Sequence, residues 1–156
     1  MNDTPQLLLH HHLKKLRLPT FLSDYDKLAK QCAAENKDHV HYLLRLSELE
    51  LIERERRMIE RRIKAAKFPA VKSLDSFDFK TMASLNKPMV MELARCEYID
   101  RHENVIALGP SGVGKTHIAL GFGLAACQKG LKVRFTTAAA LVHELMEATD
   151  EKRLIR

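Results

Sequence analysis

Through residues 5–67 apolar positions return every three to four residues, the spacing of helices that bury one side and wet the other. Leu18-Pro19-Thr20 and the polar stretch Glu35-Asn36-Lys37-Asp38 interrupt the pattern as turns. Asp38 is placed to cap the long helix that follows. Within that helix Leu44, Leu51, Ile52, Met58, Ile59 and Ile63 fall on one side of the wheel, which predicts that this side packs against the earlier helices. Residues 1–70 therefore read as an all-helical N-terminal module.

Residues 68–88 break the period with Pro69, Pro88 and the polar-aromatic run Ser73-Leu74-Asp75-Ser76-Phe77-Asp78-Phe79. This reads as a linker with anchoring aromatics. A short helix from about Pro88 to Ile99 completes a lead-in segment, residues 71–100. Beyond it the period changes again. Asn104-Val105-Ile106-Ala107-Leu108 is a continuous apolar run of the kind found in a strand covered on both faces. A glycine-rich loop follows, then a helix from about Lys115 to Lys129 that stops at Gly130, where left-handed backbone is expected. Leu131 to Thr136 reads as a second strand. Ala138 to Ala148 reads as a further helix whose inner side carries Leu141, Val142, Leu145 and Met146. Strand, loop, helix, strand, helix predicts a three-layer α/β domain with a parallel sheet over residues 101–156. Ala119, Gly121, Gly123 and Ala126 thin the middle helix, as close approach to that sheet would require.

Composition narrows the class. With 46% hydrophobic and 29% charged residues, the 156-residue chain has the profile of a soluble globular protein. No apolar run reaches the ~20 residues needed to span a bilayer. Leu7-Leu8-Leu9 runs directly into His10-His11-His12 and Lys14-Lys15, unlike a signal peptide, so a cytoplasmic protein without membrane contact is expected. Cys32, Cys96 and Cys127 are odd in number and widely spaced, which fits buried reduced thiols better than disulfides or a zinc site. Adjacent histidines on a helix point in different directions, so the His10–His12 run is a poor metal cluster.

The segment Gly109-Pro110-Ser111-Gly112-Val113-Gly114-Lys115-Thr116 satisfies G-x-x-x-x-G-K-[ST] in full, between a strand-like run and a helix. The glycines allow backbone N–H groups to turn around an anion, at a helix N-terminus where unpaired donors and the helix dipole both favour negative charge. Lys115 supplies a point charge for the β- and γ-phosphates of ATP, and the Thr116 hydroxyl a ligand for Mg²⁺. His117 adjoins the motif and is a further candidate for nucleotide contact, with a packed or solvent-facing role as the alternative. Hydrolysis would also require an acidic residue at the end of another buried strand. No apolar run after Lys115 ends in one. Asp150-Glu151 reads as a solvated turn.

The net charge of +6 suits a protein that meets nucleic acid. Residues 53–67 hold seven basic and three acidic side chains. Glu53–Arg57 and Glu60–Lys64 are spaced as helix-supporting pairs, which leaves Arg54, Arg56, Arg61, Arg62 and Lys67 as candidates for DNA contact or for a partner-protein surface.

Gly109 to His117, the following Ile118-Ala119-Leu120-Gly121, and Val133-Arg134-Phe135-Thr136-Thr137-Ala138-Ala139 together resemble the IstB-like ATP-binding proteins of bacterial insertion sequences. Leu16-Arg17-Leu18-Pro19 and Ala65-Ala66-Lys67-Phe68-Pro69 extend the resemblance into the helical module. Bacterial helicase loaders are related. The resemblance implies a P-loop AAA+ ATPase that forms ATP-dependent homo-oligomers on DNA, without strong sequence preference, and helps a transposase use its target. Ser111 stands where proline is commoner in the family, a change a backbone-donating position tolerates. The family's Walker B strand, sensor residues and arginine finger have no counterpart here, so the chain reads as an N-terminal portion with no catalytic residues of its own, expected to bind nucleotide with negligible hydrolysis. A helicase-loading protein and an inactive remnant are the alternative functions.

Overall fold

In the computed structural model, which describes residues 3–82 and 85–150, seven α-helices alternate with turns and extended backbone among the described residues. They are α1 (Asp3–Lys15), α2 (Pro19–Ala34), α3 (His39–Ala65), α4 (Lys87–Leu93), α5 (Glu97–Asp100), α6 (Lys115–Gln128) and α7 (Ala138–Asp150), with one 3-10 turn at Phe79–Thr81. The chain divides into two compact units, residues 1–58 and 59–156, and the division falls inside α3.

In the first unit local chemistry sets the helix boundaries. α1 stops where Arg17 turns left-handed (φ 57°), with the Leu18 N–H donating to Leu13 O (3.0 Å) and the Arg17 N–H to Lys14 O (3.1 Å). Pro19 then opens α2 at a position whose N–H no helix would use. Asp38 caps α3 as expected, its carboxylate accepting the His41 N–H at 2.9 Å.

The inward side of α3 differs from the apolar stripe read from the sequence. Leu44, Leu51 and Ile52 are exposed, while Met58, Ile59 and Ile63 are half-buried. Leu46 and Glu50 are the residues of this helix that lie buried, Glu50 at only 4% exposure. The cause is electrostatic. Glu50 Oε2 accepts the Thr20 N–H at 3.0 Å and so caps the first turn of α2 from another helix, while Oε1 takes Arg57 Nη2 at 3.0 Å and Arg54 Nη2 at 3.3 Å. Burial pushes this carboxyl up. The hydrogen bonds from Thr20 and the two guanidinium charges outweigh it, and the net direction is down.

The second unit is organised around α6. Leu74, Val90, Ile118 and Phe122 form its core, with Phe77, Phe79, Leu85, Leu93 and Ala94 packed against it. The small residues of α6 make room for segment 68–79. A Cβ at Gly121 would lie 2.6 Å from Leu74 Cδ2, and one at Gly123 would lie 2.8 Å from Phe68 Cε1. Approach to a sheet is not their explanation. The α6 terminus matches expectation: Gly130 is left-handed (φ 87°), the Leu131 N–H donates to Ala126 O (2.9 Å) and the Gly130 N–H to Cys127 O (3.1 Å). The lead-in helix is two short ones, α4 and α5, separated where Cys96 turns left-handed (φ 60°).

No sheet forms among the described residues, which overturns the three-layer P-loop α/β architecture expected from the sequence. Residues 104–110 and 131–137 form neither helix nor strand. Paired strands lie ~4.8 Å apart. Here a groove of about 450 Å³, lined by Tyr98, Val105, Ala107, Phe122, Val133 and others, lies between them. Apart from the Leu131 capping bond and the Leu141 N–H to Thr137 O bond that starts α7 (2.9 Å), the backbone bond of either run among the described residues joins the Phe135 N–H to Ala66 O (2.8 Å). Ile106 and Leu108 are consequently 78% and 90% exposed. The apolar side of α7 has no sheet to cover: Leu141, Val142, Leu145 and Met146 are all exposed. Among the described residues no helix is long and apolar enough to cross a membrane.

Candidate nucleotide site

The loop Gly109–Gly114 opens directly into α6, whose first hydrogen bond runs from the Ile118 N–H to Gly114 O (3.0 Å). The N–H groups of Lys115, Thr116 and His117 therefore precede any intrahelical acceptor. Gly109, Pro110, Ser111, Gly112 and Thr116 are exposed; Val113, Gly114, Lys115 and His117 are half-buried. Gly114 is glycine for two reasons. Its φ of 83° is left-handed, and a Cβ there would meet Phe77 Cε2 at 2.5 Å. Gly112 is also left-handed (φ 82°), with nothing near the place of a Cβ, so the loop stays open on that side.

Lys115 Nζ donates to Gly109 O at 2.9 Å and Pro110 O at 2.5 Å, folding the ammonium over the loop that precedes it. The lysine charge, the unpaired first-turn N–H groups and the exposed Thr116 hydroxyl thus converge on one open loop. That donor set fits a polyphosphate. Thr116 is the motif's candidate Mg²⁺ ligand; the described residues contain no cluster of three or more His, Cys, Asp or Glu able to hold a metal.

His117 faces away from the loop opening. Its Nε2 lies 2.9 Å from Ser73 O and 3.3 Å from Ser76 Oγ, and its ring meets Phe77 edge-on at 5.2 Å between centroids. Since a carbonyl oxygen only accepts, Nε2 carries the proton in this contact. Ser73, Ser76 and Phe77 were not singled out as site residues by the sequence. Their run is visibly polar-aromatic, but the contact spans more than forty positions, and no local pattern pairs a serine carbonyl with a distant histidine.

The basic candidates are mostly engaged. Arg54 Nη2 reaches Arg17 O at 3.3 Å as well as Glu50, and Arg56 pairs with Glu53 through Nε (3.1 Å) and Nη2 (2.8 Å). Arg61 also has interactions. Arg62 packs against Gly130, where a Cβ would lie 2.8 Å from its Nη1, and that nitrogen is shut off from solvent. Lys67 is exposed, in left-handed backbone (φ 55°) after α3. Arg54 and Arg56 belong to the first unit, Arg61, Arg62 and Lys67 to the second. The three cysteines are buried and free, and burial pushes the Cys96 and Cys127 thiols up. Asp150 is the last described residue, so the acidic pair that it forms with Glu151 lies in part outside the described residues.

Comparison with known proteins agrees with the loop. Residues 11–156 match the family model described as IstB-like ATP binding protein. The chain is 36% identical over 146 residues to the ATP-binding protein named for insertion sequence IS5376 of Geobacillus stearothermophilus, an alignment covering 94% of this chain and 58% of the relative. It is 36% identical over 144 residues to that named for IS21 of Pseudomonas aeruginosa (92% and 54%). Against that of IS232 from Bacillus thuringiensis subsp. berliner, identity is 37% over 115 residues (74% and 46%). The chain spans about half the length of these relatives. A glycine-rich G-x-x-x-x-G-K-[ST] loop, inside a family match that runs nearly the whole chain, places the protein in the IstB-like ATP-binding family.

Proposed function

We propose that residues 109–116 bind the phosphates of ATP, with Mg²⁺ joined through the Thr116 hydroxyl, and that the protein serves DNA transposition beside a transposase on target DNA. The carrying observation is the convergence of the Lys115 ammonium, the first-turn N–H groups of α6 and the Thr116 hydroxyl on one open loop. Relatives named as ATP-binding proteins of insertion sequences support the wider role. When bound, Mg²⁺ would offset phosphate charge. Lys115 exchanges its carbonyl partners for phosphate oxygens, and the helix dipole adds to the attraction.

Lys115→Ala tests the site. ATP binding measured by calorimetry is expected to vanish while far-UV circular dichroism stays unchanged; retained affinity overturns the assignment. Turnover is a separate matter. No apolar run after Lys115 ends in an acidic residue, so residues 1–156 are expected to bind ATP without hydrolysing it. Mg²⁺-dependent phosphate release by the purified chain, absent in Lys115→Ala, would show otherwise. For the DNA role, Lys67 and Arg61 are the residues to change, and fluorescence anisotropy with duplex DNA should show affinity that falls steeply as salt rises and weakens when both become Ala.

A further inference from the structure

The turn at Ser73–Phe77 touches the phosphate loop at its last residue and at the first turn of α6, through three separate contacts. Phe77 fills the space a side chain would take at Gly114. The His117 Nε2–H donates to Ser73 O, and the imidazole stands edge-on to the Phe77 ring. The turn is closed on itself by the Phe77 N–H to Leu74 O (3.1 Å) and by Ser76 Oγ to Ser73 O (2.8 Å), and Leu74 anchors it in the core against Gly121. A core-anchored turn therefore contacts both Gly114, the left-handed end of the loop, and His117 in the first turn of α6.

We propose that His117 is a positioning residue for nucleotide binding: by hydrogen-bonding Ser73 O and bracing Phe77, it holds Gly114–Thr116 in the conformation that presents its N–H groups to phosphate. The proposal rests on the nucleotide reading of the loop. It also makes the 73–77 turn the place where loop occupancy is felt, since ligand that orders Gly114–Thr116 tightens the same contacts. His117 touches no phosphate in this scheme. Its effect passes through Ser73 and Phe77.

Calorimetry with ATP on the 156-residue chain, paired with amide hydrogen exchange at Ser76 and Phe77, tests this. His117→Ala should weaken ATP binding about tenfold, the scale of one well-placed hydrogen bond and its packing. His117→Gln, whose terminal N–H₂ reaches the place of Nε2, should stay within about threefold of wild type. At saturating ATP the Ser76 and Phe77 amides should exchange more slowly in wild type and in His117→Gln, and unchanged in His117→Ala. Phe77→Leu gives a second route, expected to weaken ATP binding by removing the ring that lies against Gly114 and meets His117 edge-on. Wild-type affinity in His117→Ala, or a Gln variant as weak as the Ala variant, overturns the positioning role while ATP binding lost only in Lys115→Ala leaves the site intact. Failure of the wild-type chain to bind ATP overturns the site and the positioning role together.

Discussion

Glu50 is the charged one of the two buried residues of α3, beside Leu46. Its carboxylate is the acceptor for the first turn of α2 and for two guanidinium groups, at 4% exposure. Removing Glu50 leaves the buried Thr20 N–H without its acceptor, at a cost of about 1–3 kcal/mol, while Arg54 and Arg57 stay open to solvent. Glu50→Ala is accordingly expected to lower the urea midpoint strongly, and Glu50→Gln, which keeps the shape but not the charge, somewhat less. The pH dependence has a definite sign. The folded carboxyl titrates below its ordinary value of 4.5, so its stabilisation is fully present above that value and is lost as pH falls through the lower, folded one. Urea midpoints taken between pH 7 and pH 3 should fall for wild type and flatten for Glu50→Gln. A parallel fall in both would remove Glu50 as the cause.

The helices were legible in the sequence because their ends are local chemistry. Asp38 and Gly130 mark boundaries through bonds to near neighbours, Pro19 through the N–H it lacks, and each does so in the structure. What faces inward was less legible. Leu44, Leu51 and Ile52 follow the helical period as well as any core stripe, yet a single carboxylate with a distant N–H to cap turns Glu50 inward instead. The glycine-rich loop was readable because its motif is contiguous; its contacts with Ser73–Phe77 were not, because they join segments far apart. The runs 104–108 and 131–136 were expected as strands and form none among the described residues, since an apolar run or an alternating pair carries no information about a pairing partner. On α6, the glycines make a testable pair with segment 68–79. Gly121→Ala gains about 1 kcal/mol in helix propensity, but overpacking against the buried Leu74 costs 1–3 kcal/mol by comparison with other cores, about the same or more, so a net loss in melting temperature is expected. In a Leu74→Ala background the same change should turn neutral or stabilising. Additive effects across this cycle would mean the two residues do not share the space.

Taken whole, the molecule exposes much apolar surface: Ile106 and Leu108 on the unpaired run, and Leu141, Val142, Leu145 and Met146 on α7. Unpaired extended backbone with apolar side chains is prone to pair with another chain. A net charge of +6 opposes this at low ionic strength and less once salt screens it. Light scattering should therefore show association growing with both protein and salt concentration. Ile106→Lys with Leu108→Lys should suppress it at unchanged melting temperature, and association that persists would locate the sticky surface elsewhere. In the proposed nucleotide site, Lys115 sets the terms on which phosphate enters. Its ammonium is already satisfied by Gly109 O and Pro110 O, so capture is an exchange of ligands at nitrogen, with two carbonyls handed back to water as phosphate arrives. The heat released is then the difference between two sets of strong bonds, and selectivity goes to anions that offer several oxygens at once. A triphosphate can replace both carbonyls, whereas a monovalent anion replaces one and leaves the lysine where it lies.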